Sequence, residues 1–180
     1  MLNPIRIFLT GLSLLFFLIA FTGCDMGEKE VKAEYNAYTF DQQLIDKLPL
    51  YDSLVSAIIQ NYPAFGKFIR DENGHRTFLY IPASQDPDVF IKLPPQAAPK
   101  VSPYFDRPGK DFIYGFEIFK DSSIRIMART RFSERSKVDI DEFLSYYPRG
   151  NIKRREFPDK DTLLNTNWQY RARFNKRGAF

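Results

Sequence analysis

The chain holds one cysteine, one histidine and one tryptophan among its 180 residues. A lone thiol closes no internal disulfide, and one cysteine with one histidine excludes a zinc site of the usual Cys/His kind. Catalysis by a nucleophile and a histidine has a single candidate base, His75, within Asp71-Glu72-Asn73-Gly74-His75. A histidine beside such a turn is normally solvated, and nothing in the pattern sets a serine against it. A nucleophile elbow, a P-loop, a dinucleotide fingerprint, an EF-hand loop and a His-Glu-x-x-His helix are all missing. The carboxylate pairs Asp71/Glu72, Asp86/Asp88 and Asp139/Asp141 fall in turns or at a predicted helix start, where acids serve solubility and capping. No catalytic residue, metal ligand or cofactor is assigned on this basis. Long apolar runs are scarce too: the longest, Ile7 to Phe21, covers 15 positions, whereas a membrane-spanning helix needs about 20.

What is present begins with that run. Met1 to Arg6 carries one basic side chain, the apolar stretch follows, and Phe21-Thr22-Gly23-Cys24 leads into the polar Asp25-Met26-Gly27-Glu28-Lys29-Glu30. A charged start, an apolar middle and a small-residue exit describe a secretory signal peptide. Ending on cysteine, the segment resembles the lipobox of bacterial lipoproteins, with Phe21 where that family usually carries Leu. The resemblance implies that residues 1–23 are removed and that Cys24, thioether-linked to diacylglycerol, becomes the new N-terminus. The partner it implies is a membrane, reached through the lipid, and the expected location is the bacterial cell envelope, outside the cytoplasm. Asp25 resembles the inner-membrane retention signal of enteric bacteria. The acidic residues after it resemble surface-export signals in the Bacteroidetes, so membrane and leaflet stay open.

Loss of residues 1–23 removes one charge, Arg6, from 26 basic and 22 acidic side chains and leaves 25 and 22. The remaining 157 residues are enough for one domain with a buried core. Residues 24–38, charged and without an apolar stripe, read as a flexible tether, and 39–180 as a single α+β domain. Thr39-Phe40-Asp41-Gln42 has the form of a capping box ahead of a short helix with Phe40, Leu44 and Leu48 on one side. Pro49 starts a second helix, in which Tyr51, Leu54, Val55, Ile58, Ile59 and Tyr62 form one apolar stripe that Pro63 ends. Asn73-Gly74 predicts a β-hairpin joining 64–70 to 76–81, and a short strand is expected at 89–93. The proline-rich stretch 94–108 reads as an extended surface crossing.

Beyond Asp111 the period is two. Phe112, Tyr114, Phe116 and Ile118, then Ile124, Ile126, Ala128, Thr130 and Phe132, are expected to face the core of an antiparallel hairpin. Asp139-Ile140-Asp141-Glu142 reads as the cap of a short helix that Pro148 and Gly150 end, and Trp168 to Lys176 as a last strand. The expected architecture is an antiparallel sheet of about five strands, with the N-terminal helices and that short helix on one face.

Charge is uneven along the chain. Residues 25–119 carry 10 basic and 14 acidic side chains, and residues 120–180 carry 15 and 8. Strict alternation puts Arg125, Arg129 and Arg131 on one side of their strand and Arg171 and Arg173 on one side of theirs, with Glu117 as a local partner. Five guanidinium groups on one sheet face would suit an acidic protein or an anionic envelope ligand; the plainer reading is a solvated face. Nucleic acid is not an expected partner, since the address lies outside the cytoplasm. The functional expectation is therefore a membrane-anchored, non-enzymatic binding or assembly module. The alternatives are an inhibitor or immunity lipoprotein against a toxic or lytic enzyme, and a hydrolase acting on envelope polymers.

Overall fold

Alternating side chains build one antiparallel sheet. The computed structural model describes residues 28–66, 76–85, 89–105, 113–150, 152 and 156–176; Cys24, the Asn73-Gly74 turn and His75 lie outside them. The described residues form six strands: β1 Arg76–Tyr80, β2 Gly115–Phe119, β3 Ile124–Ser133, β4 Val138–Tyr146, β5 Asp159–Leu163 and β6 Trp168–Lys176. Their order is β1-β2-β3-β4-β6-β5, and every neighbouring pair is antiparallel. Helices precede the sheet: α1 at residues 28–37, then α2 Gln42–Asp46, α3 Leu48–Gln60 and α4 Tyr62–Phe65. A short helix, α5 Ala98–Val101, continues as a 3-10 turn over Ser102–Tyr104. The fold is α+β, as the pattern predicts, with one strand more than expected.

One sheet face packs against the helices. Phe116, Ile118, Ile124, Ile126, Leu144, Trp168 and Tyr170 join Tyr51, Leu54, Val55 and Ile58 of α3 in the main apolar cluster. The α3 stripe is thus the one read from sequence, although Ile59 stays exposed. A second cluster lies under α1, where Val31 and Tyr38 pack with Val138, Ile140, Ala172 and Phe174. Gly115 sits where only glycine fits: a Cβ there would come within 2.2 Å of the Tyr80 carbonyl oxygen.

Several expectations need correction. The tether is helical over 28–37, with Val31 and Tyr38 buried; one valine and two tyrosines suffice to dock a helix that shows no continuous stripe. The cap of α2 is Asp41, whose carboxylate accepts from Gln43 N, rather than Thr39. Ala64 and Phe65, expected to begin a strand, are helical, and β1 pairs with β2; the rest of the expected hairpin, residues 67–75, lies outside the described residues. Residues 89–93 contribute a single parallel bridge, Tyr80 to Phe90. Within the proline-rich stretch, Pro99 and Pro103 each occupy the first turn of a helical segment, where a missing N–H is harmless, and Ala97 and Val101 are fully buried. The helix expected at 139–148 is β4: Val138, Ile140, Glu142 and Leu144 point to the helices, and Asp141, Phe143 and Ser145 point away. Its acids mimic a cap, but Asp141 accepts from Thr130 and Asn175 on the neighbouring strands. The edge strand β5 was not anticipated, since Asp-Lys-Asp-Thr-Leu has the charge that edge strands carry against further pairing.

Candidate functional site

The arginines expected on one face lie on two, and a β-bulge divides them. Along β3 and β4 the register runs Arg125 to Ser145, Ile126 to Leu144 and Met127 to Phe143, then skips so that Arg129 faces Glu142 and Arg131 faces Ile140. The extra residue, Ala128, turns everything after it to the opposite face. Arg129 and Arg131 therefore share the helix-covered face with Ile126 and Leu144, while Thr130 and Phe132 turn outward. Arg125, Arg171 and Arg173 remain on the outer face. The bulge overturns the assignment of all five arginines to one surface.

On the inner face Glu142 is fully buried. Arg129 Nε donates to one of its oxygens. The other accepts from Arg131 Nη2 at 2.6 Å, from the Tyr38 hydroxyl at 2.5 Å and from the Tyr170 hydroxyl at 2.7 Å. Arg129 also reaches Asp41, the cap of α2. Burial alone would push Glu142 up, but the hydrogen bonds from Arg129 and the two tyrosines, with the charge of Arg131, hold it below the usual carboxylate value. Asp41 is lowered in the same way against its own burial, chiefly by Arg129. Tyr38 and Tyr170 are both raised far above an ordinary phenol: Tyr38 by burial first and then by Glu142, with its hydrogen bond to the Tyr170 hydroxyl opposing, and Tyr170 by burial first, then by Tyr38 and Glu142. Beside this group, Lys160 Nζ donates to the carbonyls of Tyr35 and Tyr38 at 2.9 Å each, closing the C-terminal end of α1 where a cation is favoured. An open cleft of about 280 Å³ lies next to it, lined by Glu34, Tyr38, Thr39, Arg131 and Ser133 among others. Glu34 in that cleft accepts from the hydroxyls of Ser133 and Ser136.

The outer face is mixed in charge rather than basic. Arg125 pairs with Glu117 at 2.9 Å, the partner read from sequence, and Arg173 pairs with Asp159 at 2.8 Å. The bond to Asp159 raises Arg173. Arg125 is lowered, by burial first, with Glu117 opposing and Arg171 and Arg173 adding repulsion. Arg171 differs from both. It is 2% exposed, and its Nη2 donates to Gln169 Oε1 at 2.9 Å and to the Tyr147 hydroxyl at 3.4 Å. Both acceptors are neutral. Its Nε and Nη1 are buried without a hydrogen-bond partner, as are Ser145 Oγ and Arg125 Nε. An unsatisfied buried donor costs about 1–3 kcal/mol, and more when charged. Arg171 is therefore a buried residue and not part of a solvated face.

Sequence reading missed Glu142, Tyr38, Ser145 and Tyr147. Alternation over 138–146 was the available signal for Glu142 and Ser145; the acidic run masked it. Among the described residues no group of His, Cys, Asp and Glu is placed to hold a metal ion, and no helix is long and apolar enough to cross a membrane. No protein-family model, no curated protein and no solved structure matches the chain.

Proposed function

We propose that this protein is a lipid-anchored component of the bacterial envelope whose folded domain binds a partner and performs no chemistry on it. The lipobox-like segment ending at Cys24 supports the anchor. The binding role is supported by the outer sheet face, where a buried guanidinium faces only neutral acceptors, and above all by the state of the ionisable groups clustered around Glu142. A general acid or base works best with a pKa near the operating pH. Here Glu142 and Asp41 are displaced downward, and Tyr38 and Tyr170 upward, so each is locked in one protonation state at neutral pH. That cluster is a clasp between helix and sheet.

The partner is an acidic protein of the envelope, engaged by the outer face around Arg171. Affinity capture from envelope extract, read by mass spectrometry, tests this: one acidic protein should be retained at low salt, and less of it as salt rises. Retention of no protein above background, or turnover of peptidoglycan or glycan by the purified protein, would refute the binding reading. The anchor is tested separately. Cys24→Ser should leave an uncleaved precursor without lipid label, whereas mature native protein should stay with membranes through a high-salt wash, because two or more acyl chains hold stably. Labelling and cleavage that persist in the variant would sink the lipoprotein assignment.

A further inference from the structure

Among the described residues, the buried side-chain polar atoms without a hydrogen-bond partner are Arg125 Nε, Arg131 Nε, Ser145 Oγ, Arg171 Nε and Arg171 Nη1. Four of the five belong to positions that the sheet sets side by side on its outer face. Arg125 lies directly opposite Ser145 across β3 and β4. Ser145 lies opposite Gln169 across β4 and β6, with Arg171 two residues farther along β6. Opposite and diagonal neighbours in a sheet are about 5 to 8 Å apart, within reach of an arginine side chain. Ser145 and Arg171 are each at least nine-tenths buried. Every one of these atoms donates hydrogen bonds, and the hydroxyl can do so as readily as accept. A group of buried donors with positive charge is complementary to an oxyanion.

The charge pattern narrows the class. Arg125 and Arg173 each hold a carboxylate, Glu117 and Asp159. The acid that the register places opposite Arg171 is Asp161, and it instead accepts from Gln169 Nε2 at 2.8 Å. Gln169 then offers its carbonyl oxygen to Arg171. One guanidinium is thus left without a formal counter-charge in a neighbourhood that already contains Glu117, Asp159 and Asp161. Such a place suits a monoanion and disfavours a dianionic phosphate.

We infer that Arg171, with Ser145 and Arg125 Nε, seats a single carboxylate group, the acidic side chain that the bound partner presents. Arg125, which keeps 19% of its side-chain surface exposed, forms the accessible rim. This inference rests on the reading of the outer face as a binding surface, and it fixes the chemistry recognised there.

The test uses the purified full-length protein in chloride buffer at constant ionic strength, with acetate and inorganic phosphate as probes. Arginine Nε–H resonances and the thermal midpoint are followed during each titration. Acetate should shift the Arg171 and Arg125 Nε–H signals along a saturating curve and raise the midpoint, since a ligand that binds only the folded state stabilises it. Arg171→Met, close to its parent in length, should fold and show no saturation. Arg171→Lys keeps the charge without the planar donors and should weaken acetate at least about tenfold. Arg173→Gln should respond as the parent does. Saturation by phosphate and not acetate overturns the carboxylate assignment. Linear shifts of equal size in acetate and phosphate, or an Arg171→Lys variant that binds acetate as the parent does, overturn the site itself. The two proposals fail differently. Acetate binding without any captured partner removes the functional reading and leaves the site, whereas capture that Arg171→Lys and Arg171→Met retain in full removes the site and leaves the reading.

Discussion

Glu142→Gln is the substitution that most directly tests the clasp. The change keeps the shape and one carbonyl oxygen, so Tyr38 and Tyr170 keep an acceptor, but it deletes the charge that balances Arg129 and Arg131. Breaking a buried ion pair from one side costs about 3–5 kcal/mol. Here Arg129 and Arg131 retain 29% and 39% of their side-chain surface, and Asp41 still faces Arg129, so the lower end, about 3 kcal/mol, is expected. For a chain of this size that is a fall of about 6–12 °C in thermal midpoint. Urea unfolding gives the free energy, with Trp168 as the probe: it is the only tryptophan, it is buried, and its indole N–H donates to Asp52 at 2.6 Å. The pH dependence supplies a second reading. Folding lowers Glu142, so the unfolded chain binds the proton more readily, and the stability this group contributes is complete above about pH 4.3. It is lost as the pH falls through the lower folded value. The difference between parent and variant should therefore be full at pH 7 and shrink progressively below about pH 4. A variant within about 0.5 kcal/mol of the parent at pH 7, or a gap that does not close in acid, would refute the description of Glu142 as the charge that holds helix to sheet.

Other outcomes can be checked with ordinary methods. Phe116→Ala removes a buried ring in contact with Phe65, Phe78, Tyr80 and Phe105 and should cost about 3–5 kcal/mol in urea unfolding. Gly115→Ala drives a methyl group into the Tyr80 carbonyl and the Ile81 side chain; it should cost about 3 kcal/mol and speed amide exchange along β1, and normal protection of β1 would contradict the β1–β2 register. Tyr38 and Tyr170 are raised, so their contribution is present below the ordinary phenol value of about 10 and lost as the pH rises beyond it. Absorbance at alkaline pH should then show two phenols that ionise only as the far-ultraviolet signal of the fold collapses.

The sheet was legible along most of the unbroken period two, although Tyr114, expected on the core face, is exposed and its neighbour Ile113 is buried in its place. Phe116, Ile118, Ile126, Trp168, Tyr170 and Phe174 all face the helices, as alternation requires. It misled at Ala128, because a bulge leaves no mark in the pattern: Arg129 and Arg131 still alternate with Thr130 and Phe132 after the face has changed. It was overruled at 138–146 by acids that resemble a cap. There the deciding facts are long-range, since Glu142 is stabilised by Tyr38, a residue 104 positions away in the chain. The candidate site was legible only in part. Arg125 and Arg171 were singled out as cations on one face, but burial and the diversion of Asp161 to Gln169 depend on strand neighbours that no local spacing reveals. The N-terminal helix was hidden for a related reason: Val31, Tyr35 and Tyr38 form too sparse a stripe to announce themselves without the partners that cover them.

That helix bears on how an anchored domain would stand at a membrane. A 15-residue tether would let the domain turn freely, whereas α1 is fixed to the sheet at several points. Glu34 holds Ser133 at the end of β3 and Ser136 in the turn that follows, Tyr38 holds Glu142, and Lys160 of β5 caps the helix. Between Cys24 and the first described helical residue, Glu28, a fully extended chain spans at most about 14 Å. If Cys24 carries the proposed lipid, the N-terminal end of α1 is held within roughly that distance of the bilayer, and with it the end of the sheet on which α1 packs. Arg125, Ser145 and Arg171 lie farther along their strands: Phe143–Arg171 is five ladder positions from the Val138–Lys176 pair beside the β3–β4 turn, about 17 Å at ordinary strand rise. A partner engaged there would meet a face set back from the membrane and constrained in direction. The clasp at Glu142 would transmit that constraint, since it joins α2 through Asp41 and the C-terminal end of α1 through Tyr38 to the middle of β4.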